Sequence, residues 1–163
     1  MRLVILRHGI AVPAGTPDVH DEDRPLTPRG RKRFRKAARG LAQILPAPDL
    51  LLTSPLPRAL ETAEIAADAW GDVEPKIEPR LAAGRSREVL AALGERGDDD
   101  LVALVGHEPD VSALVAHLTG STGERLPFKK GGAALVELDG GTSDRGRLIW
   151  FLPPRLLRRL GGQ

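Results

Sequence analysis

Short unbroken apolar runs alternate along this chain with longer stretches in which apolar residues recur every three or four positions. Leu3-Val4-Ile5-Leu6, Leu50-Leu51-Leu52 and Leu101 to Val105 are runs of the first kind. Such runs, bounded by polar turns, predict strands buried on both faces of a sheet. Between them, Phe34, Ala37, Ala38, Leu41, Ile44 and Leu45 follow helical spacing. Thr27 is placed to cap that helix, Pro28 to occupy its first position and Pro46 to end it. Further helices are predicted from about Leu56 to Trp70, over residues 85–96 with closure at Gly97, and from Val111 to Leu118. Residues 73–77 read as a short strand. Residues 133–138 and 147–152 read as a hairpin turning at Asp139-Gly140-Gly141. Residues 10–26 and 119–132 read as loops. Strands alternating with helices, without a repeat or a linker, predict one domain over residues 1–163. The expected fold class is α/β, a three-layer α/β/α sandwich around a mostly parallel sheet.

Composition narrows the classes of function. At 163 residues the chain can bury a sizeable core, and with no cysteine it has neither disulfides nor thiolate metal ligands. The formal net charge is only +2 and aromatic residues make up 3%, with no tyrosine. Nucleic acid is therefore not an expected partner, since both the field and the stacking platforms are missing. The arginine-rich stretches Arg29 to Arg39 and Arg155 to Arg159 lie in helix-like patterns and read as solvated faces. No apolar stretch is long enough to span a bilayer, and the run at residues 1–6 is too short for a secretory signal. The expectation is a cytoplasmic protein without membrane contact.

Chemistry enters at the strand ends. The first strand ends in Arg7-His8-Gly9, the second in Thr53-Ser54 with Arg58 one turn into the following helix, and the third in Gly106-His107. A parallel sheet brings such ends to one edge, where α/β proteins bind ligands. Two histidines and two arginines around one cavity suit a phosphoryl group. The guanidinium fork binds two phosphate oxygens and neutral imidazole is a nucleophile near pH 7. Each motif alone is a short, frequent pattern; their order and their common position at strand ends give them weight. His20 and His117 match no motif and read as structural or solvent-facing. Glu61 and Thr62 read as groups that orient Arg58 or cap backbone, and Glu108 as a carboxylate at a helix start.

Leu6-Arg7-His8-Gly9, Thr53-Ser54-Pro55 with Arg58-Ala59 and Glu61-Thr62-Ala63, and Val105-Gly106-His107 resemble, in the same order, the motifs of the histidine phosphatase superfamily, with its phosphoglycerate mutase-like fold. Asp23-Arg24-Pro25-Leu26-Thr27 with Gly30, and Gly106-His107-Glu108-Pro109, resemble its small SixA-type phosphohistidine phosphatases. The segment from Glu64 to Leu101 is likewise too short for the large lid of the mutases.

The resemblance implies that His8 attacks phosphorus and becomes a phosphohistidine. Arg7, Arg58 and His107 would hold the nonbridging oxygens. Arg24, Gly9 and Ser54 would contact the substrate phosphate. No cofactor and no metal are expected, and the expected partner is a phosphate-bearing substrate such as a phosphorelay protein. One departure stands out. Larger relatives carry a general-acid carboxylate after the second helix, whereas Arg80-Leu81-Ala82-Ala83-Gly84 has none and Glu78 lies just upstream. A leaving group that departs easily needs no strong acid, which favours phosphohistidine over an alkyl phosphate. A phosphatase for small phosphomonoesters or anhydrides, and a non-catalytic phosphate-binding module, remain the alternatives.

Overall fold

The computed structural model describes residues 1–71, 73–94, 96–139 and 145–162. Its six strands are β1 (Arg2–Arg7), β2 (Leu50–Thr53), β3 (Pro75–Ile77), β4 (Leu101–Gly106), β5 (Ala133–Leu138) and β6 (Gly146–Leu152). They form one sheet in the order β3-β2-β4-β1-β5-β6. The pairs β3–β2, β2–β4 and β4–β1 are parallel, while β1–β5 and β5–β6 are antiparallel. The helices are α1 (Pro28–Ile44), α2 (Pro57–Trp70), α3 (Ser86–Ala92), α4 (Asp110–Thr119) and α5 (Pro154–Leu160).

Alternation along the strands explains the three layers. Val4, Leu6, Leu51, Ala103 and Val105 pack on one side against Phe34, Ala63 and Leu157, from α1, α2 and α5. Their neighbours Leu3, Ile5, Leu52, Val102 and Leu104 pack on the other side against Val89 and Leu114, from α3 and α4. Because both faces are buried, the central strands read as continuous apolar runs. The α/β/α sandwich is the expected one.

Local signals act where the sequence places them. Thr27 caps α1, its hydroxyl accepting from the Gly30 N–H at 2.9 Å, a bond of a kind that contributes about 1 kcal/mol. Four elements differ from expectation. The third helix stops at Ala92 because Gly94 takes a left-handed φ of +68°. The third strand holds only residues 75–77, those that pair with Leu51 to Thr53. Single 3-10 turns at Asp21–Asp23 and Gly123–Arg125 interrupt the expected loops. Gly140 and Gly141 of the expected hairpin turn lie outside the described residues. The arginine-rich C-terminal segment forms α5, which docks on α1 at close range. A Cβ added at Gly40 would meet the Leu157 carbonyl oxygen at 1.9 Å, and one at Gly161 the Lys36 carbonyl oxygen at 1.9 Å.

Register fixes the functional edge. Arg7 lies opposite Gly106, and Thr53 opposite Val105. The residues just beyond, His8, Ser54 and His107, therefore leave the sheet side by side.

Candidate active site

Backbone bonds continue the sheet by one residue at this edge. The His8 N–H donates to the Gly106 carbonyl at 3.1 Å and the Ser54 N–H to the Val105 carbonyl at 3.1 Å. The imidazoles of His8 and His107 then face each other with ring centroids 5.1 Å apart. His8 Nδ1 lies 2.7 Å from the Gly9 carbonyl oxygen. A carbonyl only accepts, so Nδ1 carries the proton and Nε2 keeps its lone pair. His107 Nε2 lies 2.8 Å from the Ser54 hydroxyl, which also accepts from the Leu56 N–H at 3.2 Å.

The turn behind His8 is tied down twice. The Gly9 N–H donates to Thr62 Oγ1 at 3.0 Å, and the Thr62 hydroxyl donates to the Arg58 carbonyl at 2.6 Å. From the other side, the Gly131 N–H is shared between the Arg7 and His8 carbonyls at 3.1 and 3.0 Å. Gly131 can do this because it tolerates a φ of +80°.

Cations surround the two rings. The Arg7 guanidinium donates to the Phe128 carbonyl at 2.6 Å, Arg58 to the Asp21 carbonyl at 2.9 Å, and Arg24 to the Val12 carbonyl at 2.9 Å. The Asp21 carboxylate joins two of them, 2.9 Å from Arg24 Nε and 3.8 Å from Arg58 Nη2. Burial, reinforced by His107, Arg58 and Arg7, pushes the His8 pKa down to about 3, against the smaller opposing effect of its bond to Gly9. Burial followed by Arg58, Arg24 and Arg7 lowers His107 to about 4. Both rings are thus neutral at pH 7. Among the described residues, Arg7 Nε, Arg58 Nε and His107 Nδ1 are buried without a hydrogen-bond partner. Unsatisfied buried nitrogens are costly, and clustering at one edge marks a place built to receive an anion.

Every residue singled out by sequence for this site comes to this edge: Arg7, His8, Gly9, Arg24, Ser54, Arg58 and His107. Two others were not foreseen. Asp21 hid in the acidic run Asp21-Glu22-Asp23, which reads as a polar loop. Lys130, in a loop 77 residues from Thr53 by number, feels the charges of Arg7, Arg24 and Arg58, which with burial lower its pKa.

Comparison with known proteins agrees with this geometry. Residues 3–83 match the sequence profile of the Histidine phosphatase superfamily (branch 1). The chain is 30% identical to the protein histidine phosphatase SixA solved with tungstate, with a TM-score of 0.78 and coverage of 96% of this chain and 99% of that one. The chain belongs to the histidine phosphatase superfamily. An uncharacterized protein of Picosynechococcus is 39% identical over 137 residues, 81% of this chain and 82% of that one. The mycobacterial glucosyl-3-phosphoglycerate phosphatase shares the fold at 22% identity and a TM-score of 0.73, over 93% of this chain and 98% of that one. The chain is accordingly a histidine phosphatase, a hydrolase acting on phosphoryl groups, and its substrate bears phosphate.

Asp21 apart, the carboxylates that the sequence offered near this histidine phosphatase site have other hydrogen-bond partners. Glu78 makes two bonds to the Arg80 guanidinium, at 2.9 and 2.8 Å, which chiefly hold its pKa down to about 2. Both Glu108 oxygens accept from the Ser112 hydroxyl at 2.6 Å, and one also from the Ser112 N–H at 3.1 Å. Glu61 accepts from the Leu26 N–H at 3.1 Å and pairs with Arg31, so it braces the loop rather than Arg58. Among the described residues no group of three or more acidic or histidine side chains is arranged to hold a metal ion, and no helix is long and apolar enough to cross a membrane.

Proposed function

We propose that the protein hydrolyses phosphohistidine borne by another protein, through a phosphorylated His8. The observation that carries this reading is the state of His8: a neutral ring, its proton pinned to Gly9, its Nε2 free beside the permanent cations Arg58 and Arg7. In the first step Nε2 attacks phosphorus, the P–N bond of the substrate breaks, and the substrate ring, already protonated on its other nitrogen, leaves as neutral imidazole with the electron pair. Arg7, Arg58 and His107 hold the nonbridging oxygens, with Arg24, Ser54 and the Gly9 turn completing the cradle. Removal of one such donor costs about 3–4 kcal/mol of barrier, as at other preorganised charge-stabilising sites. Arrival of a phosphoryl anion offsets the cations that depress His107, so His107 gains basicity as the substrate binds. Water then attacks phospho-His8, releasing phosphate and restoring the ring.

Substrate choice follows from the carboxylates. With Glu78 ionised by Arg80 and Glu108 fastened to Ser112, neither is poised to protonate an alkoxide. A phosphohistidine ring protonated on its other nitrogen leaves as neutral imidazole and needs no such donor. The kinship with a protein histidine phosphatase supports the same reading. The arginines provide the positive charge, so catalysis is expected to be metal-independent.

The test is phosphate release from a phosphohistidine protein and from a panel of phosphomonoesters, with and without EDTA. Rapid hydrolysis of phosphohistidine that EDTA leaves unchanged, its loss in His8→Ala, and an acid-labile, alkali-stable phosphoenzyme are expected. Equal rates in wild type and His8→Ala, or a clear preference for one phosphomonoester, would overturn the proposal.

A further inference from the structure

Four arginines gather beside the active-site turn without a carboxylate among them. Arg29 and Arg33 stand one turn apart on α1, and Arg155 and Arg158 one turn apart on α5, the helix docked on α1. Arg33 and Arg158 are half-buried, and Arg29 and Arg155 exposed. Burial and the charges of Arg33, Arg155 and Arg29 together lower the Arg158 pKa, so the four guanidiniums share one field. None of the four makes an ion pair among the described residues. The first turn of α1 holds no acidic residue and places Arg29 at the positive end of the helix dipole. The charges acting on Arg158 are all repulsive, and while most of the basic side chains on these two helices are solvated as the sequence pattern suggested, Arg33 and Arg158 are half-buried.

The cluster adjoins the turn that follows the candidate nucleophile. A small crevice is lined by Gly9 and Ile10 after the candidate nucleophile, by Lys130, and by Arg33 and Arg158. Lys130 links the two groups of cations, since it also lies in the field of Arg7, Arg24 and Arg58. A predominantly positive surface next to a phosphate site steers and orients an extended anionic partner.

We propose that Arg29, Arg33, Arg155 and Arg158 form a docking surface for an acidic protein segment flanking the phosphorylated histidine. This rests on the reading of the site as a phosphohistidine phosphatase. Guanidinium forks suit clustered carboxylates, and an aromatic content of 3% offers little for stacking nucleobases, so an acidic protein fits better than nucleic acid.

The experiment compares three probes on the full chain: free phosphohistidine, a phosphohistidine peptide flanked by glutamates, and the same peptide flanked by glutamines. Wild type is expected to prefer the glutamate peptide about tenfold in kcat/KM at low salt and to lose that preference at high salt. Arg33→Glu with Arg158→Glu should abolish the preference while leaving turnover of free phosphohistidine unchanged. Arg33→Gln with Arg158→Gln serves as a milder second variant. Binding of the unphosphorylated peptides, read by fluorescence anisotropy, reports the surface separately. If neither free phosphohistidine nor either phosphopeptide is turned over, the catalytic reading fails, and glutamate-selective binding lost in the variants still upholds the surface. Equal behaviour of the two peptides in both turnover and binding overturns the proposal. So does inhibition by a mixed-sequence oligonucleotide that the double variant escapes without any glutamate preference in wild type, which would assign the surface to nucleic acid.

Discussion

A single histidine becomes chemically useful here through its neighbours. The Gly9 carbonyl selects the tautomer of His8, burial keeps the ring neutral, and the arginines hold the charge that its attack must handle. Asp21 works against them, since its carboxylate meets Arg24 and Arg58 and offsets part of the field a phosphate would feel. Asp21→Asn is therefore expected to tighten inhibition by inorganic phosphate several-fold, with a smaller effect at high salt. Unchanged inhibition constants would show that the carboxylate does not oppose anion binding. Asp21 was invisible to sequence reading because an acidic residue in a polar loop carries no sign of where the loop folds. Arg7, His8, Arg58 and His107 were legible because each stands at a fixed offset from the end of an apolar run.

Helices and strands decide how firmly these residues are held. Thr62 of α2 accepts from the Gly9 N–H and donates to the Arg58 carbonyl, coupling the nucleophile turn to an arginine-bearing helix. Thr62→Val keeps the shape and removes both bonds. It is expected to destabilise by about 1–3 kcal/mol, the cost of stranding buried polar groups, and to lower kcat more than it raises KM. Urea unfolding and steady-state kinetics check the two parts. The α1–α5 contact is tighter still. Gly40→Ala would drive a Cβ toward the Leu157 carbonyl, and a loss of about 1–3 kcal/mol in urea unfolding is expected from overpacking. The α5 segment announced itself only as a helix-like arginine pattern, and its docking depends on two glycines far apart in sequence. The end of α3 at Ala92 was likewise missed, because Gly97 was read as the closing glycine whereas Gly94 already turns the backbone.

The whole molecule carries the electrostatic consequence of burying two histidines. Their ordinary pKa of 6.5 falls to about 3 for His8 and about 4 for His107 on folding. Between these values and 6.5 the unfolded chain binds protons that the folded one refuses, so stability falls as pH drops. The denaturant midpoint should be flat from pH 8 to about 7 and then decline as pH falls through 6.5 toward 4, with Glu78 adding to the loss below 4.5. Replacing both histidines by glutamine should flatten the decline above pH 4.5, and an unchanged slope would assign it to other groups.

The apolar runs determined by themselves that the chain forms an α/β/α sandwich, since residues buried on both faces must be apolar at every position. They also set where polar chemistry begins, because each run stops at the sheet edge. Only the tertiary structure decided which distant groups share that edge. Strand order placed His8 and Ser54 on either side of His107. Loop folding brought Asp21 and Lys130 into the same field, and helix docking drew Arg29 and Arg33 beside Arg155 and Arg158. Periodicity reports whether a residue is buried and on which face, whereas long-range charge pairing depends on chain paths that leave no local pattern.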